Sequence, residues 1–361
     1  MNYIKKISFR KKNYIYAPLF KLGRYNGSLY DPFFKYLIDI LSVGKIKLKF
    51  WKPRPINNKS EPRPHVSMWV DINGDLYFFD KSDHIQEIDY DALRICDKYF
   101  KDNYNETEIY RLLNYNNQMS DFNKIKPFFP FGDIKRYYNY YKNNDYENNF
   151  DLCQIMSLYT SPKLFKSDGY RENYPSAFDH CFIRYKTFKL LSSNKKIKSF
   201  INLSTKDKTW FYPINSNYLG FDDYCQFIIQ SNMGIVNTIP HRIFPWKVTE
   251  MISLGIPFAI DERPITKFPS FINLNPDEHY IEIFPGVSSI DFNPEADPFA
   301  NSSFSSLLKT YDEDIYKKLF SVFIEKIKDP HLIKYLSNNI KSFRDKTLLN
   351  RELFFEYILN A

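Results

Sequence analysis

Residues 233–262, MGIVNTIPHRIFPWKVTEMISLGIPFAIDE, constrain the fold more than any other stretch. Two short apolar runs, Gly234–Val236 and Ile256–Ile260, flank a segment, Trp246 to Leu254, whose apolar residues recur at helical spacing. Pro245 stands where a helix starts, and its missing N–H costs nothing there. Gly255 stands where a helix stops. Between the first run and the helix, Asn237 to Pro245 is turn-rich and carries His241 and Arg242. Two strands flanking a helix make a βαβ unit and therefore a parallel sheet. Val248, Met251 and Ile252 fall on the side that faces the sheet, while Lys247 and Glu250, three apart, share another face.

The charged residues suggest a chemistry. A helix N-terminus at the carboxyl edge of a parallel sheet favours anions, phosphates above all. Lys247 and Arg242 add positive charge there, and the Glu250 carboxylate can accept two hydrogen bonds from vicinal hydroxyls. Phosphate beside a diol describes the ribose-diphosphate part of a nucleotide sugar. The competing account is an ordinary βαβ unit with a surface Lys–Glu pair.

The pattern Pro245-x-Lys247-x-x-Glu250-x-x-x-x-Gly255-x-Pro257 resembles the donor-binding segment of GT-B glycosyltransferases. The specific match covers roughly 230–265, with a similar order of elements up to the C-terminus. The resemblance implies an α/β fold of two Rossmann-like domains facing each other across a cleft. It gives Lys247 and Arg242 to the diphosphate and Glu250 to the ribose, with His241 and Thr249 beside them. Lys163 and Arg171, in the loop after the strand expected at Leu152–Tyr159, are secondary donor-phosphate candidates, and a solvated loop is the alternative. The implied substrates are a nucleoside-diphosphate sugar and a glycan or lipid-linked acceptor, as in bacterial surface polysaccharide or lipopolysaccharide synthesis. No cofactor and no metal are expected.

An inverting transfer needs a general base for the acceptor hydroxyl. Asp80, Asp83 and His84 follow the apolar run Leu76–Phe79, at a strand's carboxyl end, where α/β sites lie. The same residue types also cap helices. Asp89-Tyr-Asp91 has metal-clamp spacing but falls in an expected helix, so it is discounted.

At 361 residues the chain suits two domains. The expected boundaries are an acceptor domain at 1–132, a polar, tyrosine-rich linker at 133–149, a donor domain at 150–345, and a final helix at 346–361 that returns to the first domain. Hydrophobic content of 43% allows real cores. A net charge of +8 suits phosphorylated substrates or anionic headgroups. No signature of nucleic-acid binding is present, so no nucleic-acid partner is expected. Residues 1–12 hold Lys5, Lys6, Arg10, Lys11 and Lys12, either a solvated end or a contact with an anionic membrane surface. No apolar run reaches eighteen residues, and Cys96, Cys153, Cys181 and Cys225 match no zinc spacing. The expectation is a cytoplasmic protein, peripheral at the inner leaflet if its basic end binds lipid. A non-catalytic nucleotide- or carbohydrate-binding protein of the same fold is the alternative function.

Overall fold

Asn73 and Gly74 decide the character of the first sheet. Both have positive φ, 57° and 101°, which two-residue hairpin turns require and which Asn-Gly supplies at little cost. They turn Ser67–Ile72 directly into Asp75–Asp80, an antiparallel pair in register from Ser67↔Asp80 to Ile72↔Asp75. The Asp71 carboxylate accepts from the Gly74 N–H at 3.0 Å and fastens the turn.

The computed structural model describes residues 14–18, 21–22, 25–26, 32–44, 47–51, 67–81, 88–158, 184–185, 187–205, 219–237, 244–261, 266–285 and 313–361. Its strands are β1 (Tyr14–Pro18), β2 (Lys21–Leu22), β3 (Tyr25–Asn26), β4 (Lys47–Trp51), β5 (Ser67–Ile72), β6 (Asp75–Asp80), β7 (Lys98–Lys101), β8 (Ile125–Pro127), β9 (Phe150–Leu158), β10 (Ser199–Thr205), β11 (Ser231–Val236), β12 (Phe258–Ile260) and β13 (Tyr280–Glu282). The helices with full bounds are α1 (Pro32–Leu41), α2 (Tyr90–Ile95), α3 (Glu106–Tyr115), α4 (Ile134–Asn143), α5 (Phe221–Ile229), α6 (Lys247–Ser253), α7 (Glu313–Ile327), α8 (Pro330–Phe343) and α9 (Arg351–Asn360). The protein is α/β, with two sheets rich in parallel pairs.

The chain divides into two compact units. The first comprises Met1–Ile134, Thr266–Asn273 and Thr347–Ala361, and the second Lys135–Ile265 and Leu274–Lys346. The final helix α9 therefore belongs with the first unit, and the tyrosine-rich stretch after residue 133 forms α4, which belongs with the second apart from its first residue.

The first unit carries a mixed sheet of order β4-β1-β5-β6-β7-β8. The pairs β1/β4, β6/β7 and β7/β8 are parallel; β1/β5 and β5/β6 are antiparallel. One core holds Phe78, Tyr99, Leu93, Ile109, Leu113 and Ile125, packed by α2 and α3. Elsewhere in the unit an aromatic cluster joins Phe79, Phe100 and Phe128 to Phe33, Phe131 and Phe354. Phe79 stacks on Phe100 at 4.8 Å between centroids, and Phe131 meets Phe354 edge-on at 5.0 Å. Such pairs add roughly 0.5–1.5 kcal/mol each beyond their buried area. Aromatic residues, 19% of the chain, thus have a packing role here. Tyr36 donates its hydroxyl to the Leu348 carbonyl, which ties α1 to the segment leading into α9.

The second unit holds a wholly parallel sheet of order β10-β9-β11-β12-β13. Counted from its own first strand, the order is 2-1-3-4-5. Leu152, Met156, Met233 and Ile235 face one side and pack with Leu191, Phe320, Phe323 and Leu336. Phe200 and Gly234, of opposite parity, face the other. There Phe227 of α5 stacks on Phe200 at 3.7 Å, and Met251 of α6 covers Gly234. Helices therefore cover both faces, the doubly wound arrangement whose ligand crevice lies at the carboxyl ends of the strands where the winding reverses. In this unit that point lies between β9 and β11.

Candidate functional site

The reversal point has a definite shape. The pairing of β11 with β9 ends at Gly234↔Cys153, whereas β9 continues to Leu158 alongside β10. Past that point the Ile155 carbonyl accepts from Lys247 Nζ, and the Ser157 carbonyl accepts from Arg184 Nη1. Two cations are thus drawn against the carboxyl end of β9. Ser157 Oγ and Ser204 Oγ lie 2.9 Å apart beside them.

Lys247 is half-buried. Removal of its ammonium from water lowers its pKa to about 8; Glu250 opposes this, nearby Arg184 reinforces it, and Cys153 opposes it weakly. Two like charges held close together in a partly dry position are unfavourable in themselves. An anion arriving there would relieve both the desolvation and the repulsion.

Amide groups surround the same strand ends. Gln154 donates from Nε2 to the Arg184 carbonyl at 3.2 Å and approaches Asn237 Oδ1 at 3.5 Å. Among the described residues, Gln154 Oε1, Asn237 Nδ2 and Asn202 Nδ2 are buried and meet no hydrogen-bond partner. Buried polar groups are seldom left so.

Helix α6 presents Lys247 because both of its ends are fixed. The Thr249 hydroxyl donates to the Trp246 carbonyl at 2.6 Å, inside the first turn. At the far end Gly255 adopts φ 69°. Its N–H donates to Ile252 O at 2.9 Å, and the Ile256 N–H donates to Met251 O at 3.0 Å. This is the Schellman ending, which needs a left-handed residue and favours glycine. Val248, Met251 and Ile252 are buried against the sheet, as their spacing predicts. Gly234 lets the helix come close, since a Cβ there would stand 2.6 Å from Met251 Sδ. Trp246, just before the helix, is 51% exposed.

Glu250 is 4% exposed. Its Oε1 accepts from Tyr137 Oη at 2.8 Å, and its Oε2 accepts from Tyr224 Oη. The two hydroxyls it receives come from α4 and α5, where the resemblance implies those of a ribose. Burial, the nearby Glu250 charge and the hydrogen bonds to it push both phenols well above their usual range, so they remain donors. The Tyr224 ring also lies 5.0 Å from Lys247 Nζ.

In the first unit Asp80 ends β6 and is 4% exposed. Its Oδ2 accepts from Lys101 Nζ at 3.0 Å and from Tyr99 Oη at 2.5 Å. Lys101 is wholly buried. An aspartate gripped by an ammonium and a phenol and shielded from solvent suits an internal ion pair. Asp89 caps α2 by accepting from the Ala92 N–H at 2.9 Å, and Asp91 pairs with Arg94 at 2.9 Å, so neither spacing partner is spare. Asp83, His84, Lys163, Arg171, His241, Arg242 and the basic residues 1–12 lie outside the described residues.

Tyr137, Tyr224 and Arg184 escaped sequence reasoning as site residues. Tyr224 falls on the inward face that helical spacing predicts for its segment, but nothing local says that its hydroxyl meets Glu250. Tyr137 is 113 positions from its partner. Among the described residues no group of three or more His, Cys, Asp or Glu is placed to hold a metal ion, and no helix is long and apolar enough to cross a membrane. No known protein family and no curated protein matches the chain.

Proposed function

We propose that the chain is a nucleotide-sugar-dependent glycosyltransferase of the GT-B type, with the second unit taking the donor and the first taking the acceptor across a cleft. The observation that carries this reading is the pair of cations, Lys247 and Arg184, at the point where the parallel sheet reverses its winding. A doubly wound sheet with positive charge at that point suits a phosphorylated ligand, and the resemblance of the Pro245-to-Pro257 pattern to a GT-B donor segment supports a nucleoside-diphosphate sugar as that ligand.

The chemistry follows from charge. As the glycosidic bond to the diphosphate breaks, negative charge grows on the departing phosphates. Fixed cations that need no reorganisation stabilise that charge, and losing one such group typically slows turnover by about 10²–10³-fold. The acceptor is a glycan or lipid-linked hydroxyl, and the proposed setting is surface polysaccharide or lipopolysaccharide assembly on the cytoplasmic face of a membrane.

A second reading is favoured by one observation: Asp80, the described candidate base, is locked to Lys101. On that reading the protein binds a nucleotide or carbohydrate without catalysis. Thermal unfolding in the presence of a panel of nucleoside diphosphates, monosaccharides and oligosaccharides tests both readings. A ligand that binds only the folded state at 100 times its Kd adds about 2.7 kcal/mol and raises the midpoint. No shift with any of them would refute both readings. Release of sugar from a nucleoside-diphosphate sugar then separates the enzyme from the binding protein.

A further inference from the structure

Two amides stand where the sheet of the second unit parts. Pairing of β11 with β9 stops at Gly234↔Cys153. Gln154 is the next residue of β9, and Asn237 directly follows β11. Alternation puts both on the face that Leu152, Met156, Met233 and Ile235 share, whereas Asn202, in register with Ile155, faces the other way. Gln154 is 0% exposed and Asn237 2%. Gln154 Nε2 donates to the Arg184 carbonyl at 3.2 Å and approaches Asn237 Oδ1 at 3.5 Å. Those contacts fix both amides, since turning Gln154 over would set its oxygen against a carbonyl. They leave Gln154 Oε1, an acceptor, and Asn237 Nδ2, a donor, without a partner among the described residues. We propose that this pair reads a ligand: it takes an uncharged group that donates to Gln154 Oε1 and accepts from Asn237 Nδ2, either a sugar hydroxyl or the N–H and C=O edge of a nucleobase.

The opposite sense of the two unmet atoms decides the class of ligand. A fully ionised phosphate offers acceptors alone, so it satisfies Asn237 and leaves Gln154 unmet. An ammonium offers donors alone and fails in the reverse way. A hydroxyl or an amide edge does both. Burial makes the pair discriminating, because a buried polar group left unpaired bears its full desolvation cost. Sites built to hydrogen-bond a hydroxyl or N–H reject analogues that lack it by up to about 10⁴–10⁵-fold. Position adds a second constraint. Arg184, whose carbonyl anchors Gln154, also brings its guanidinium to the Ser157 carbonyl at the end of β9. One residue therefore joins the neutral pair to the cationic end of the site, and a ligand with an anionic end and an uncharged polar end fits both. The inference deepens the donor-site reading and rests on it only for the anionic end.

The test compares the wild type with the double variant Gln154→Met, Asn237→Leu, which keeps the shape of both side chains and removes both unmet atoms. Calorimetric titrations use inorganic pyrophosphate, which brings charge alone, then ribose and glucose, which bring hydroxyls, and uridine and guanosine, which add a base. Each organic probe is used free and as its phosphate: ribose 5-phosphate, glucose 1-phosphate and the two nucleoside 5′-diphosphates. At least one organic probe should bind the wild type and bind the double variant roughly tenfold more weakly, a larger loss than pyrophosphate shows. Weakening of ribose or glucose probes assigns the hydroxyl, and weakening confined to the nucleoside probes assigns the base edge. Without ligand the double variant should have a urea midpoint at or above that of the wild type, because exchanging both partners of such a pair for apolar groups of the same shape is nearly neutral or stabilising. A pair whose task is to hold the fold predicts the reverse, through loss of its bond to the Arg184 carbonyl. A lowered midpoint, failure to fold, or equal binding of every organic probe by the two proteins would overturn the inference. Should pyrophosphate not bind and no phosphate improve on its free sugar or nucleoside, the donor reading falls, and the free probes still judge the amides.

Discussion

Replacement of Gly255 by alanine should destabilise the second unit by about 3 kcal/mol, from two sources. The residue sits at φ 69° and ends α6; holding alanine in the left-handed region costs roughly 1–2 kcal/mol. The added Cβ would also lie 2.8 Å from Arg344 Nη1 and 3.2 Å from Lys341 Cγ. Arg344 has little room to yield. It is buried, its Nε and Nη2 are bonded to Asp345 at 2.8 and 3.3 Å, and its guanidinium lies 4.6 Å from the Tyr141 ring and 5.1 Å from that of Tyr138. Forcing an extra methyl group against such a neighbour costs roughly 1–3 kcal/mol. The lower chain entropy of unfolded alanine returns about 0.4–1 kcal/mol. The assay is urea unfolding followed by amide hydrogen exchange at residues 247–256, so that the loss is read in this unit. Gly255→Asn separates the two sources, because asparagine accepts the left-handed region yet still carries a Cβ; its cost should be smaller but not zero. A Gly255→Ala protein within about 0.5 kcal/mol of the wild type would refute both the strain and the crowding at once.

Three further outcomes are expected. Lys101→Met should cost about 3–5 kcal/mol by removing the buried ammonium that donates to Asp80, and the double variant with Asp80→Asn should regain most of that in the same urea titration. For Lys247, the difference between 10.5 and about 8 corresponds to roughly 3 kcal/mol. That penalty is full below pH 8 and relieved towards 10.5, so the urea midpoint of the wild type should rise relative to that of Lys247→Met across this window, while the buried thiols, common to both proteins, lower both midpoints above pH 9. Cys96, Cys153 and Cys225 are buried, with thiols pushed up to about 12, 11 and 12 by desolvation. At pH 8 they should resist a disulfide reagent in the folded protein and react after denaturation, as tryptic mapping of the modified cysteines would show.

Local signals were the legible ones. The strand–helix–strand unit at residues 231–260 could be read because Pro245, Gly255 and the apolar runs each act within a few residues of themselves. The parallel pairing Gly234↔Phe258 to Val236↔Ile260 follows from them. Asn73-Gly74 carries an equally local turn signal. Its consequence, an antiparallel hairpin that makes the first sheet mixed, follows only when the two-residue connection is taken to forbid a crossover. The short strand β8 was missed because Ile125–Pro127 is bounded by proline and offers too few residues for any alternation to register.

The site was less legible because its chemistry depends on what fills the space around each charge. Lys247 and Glu250 stand out in sequence as a cation and an acid three residues apart, a spacing equally suited to a solvated pair or a ligand grip. What distinguishes the cases is burial, and burial here is imposed by Tyr137 on α4, Tyr224 on α5 and the early end of β11 pairing beside β9. None of these is encoded near residue 250. A carboxylate in water would be free to hold a sugar's hydroxyls. The same carboxylate is here closed in by two phenols, so the identity of the residue is set locally and its surroundings are set by the fold.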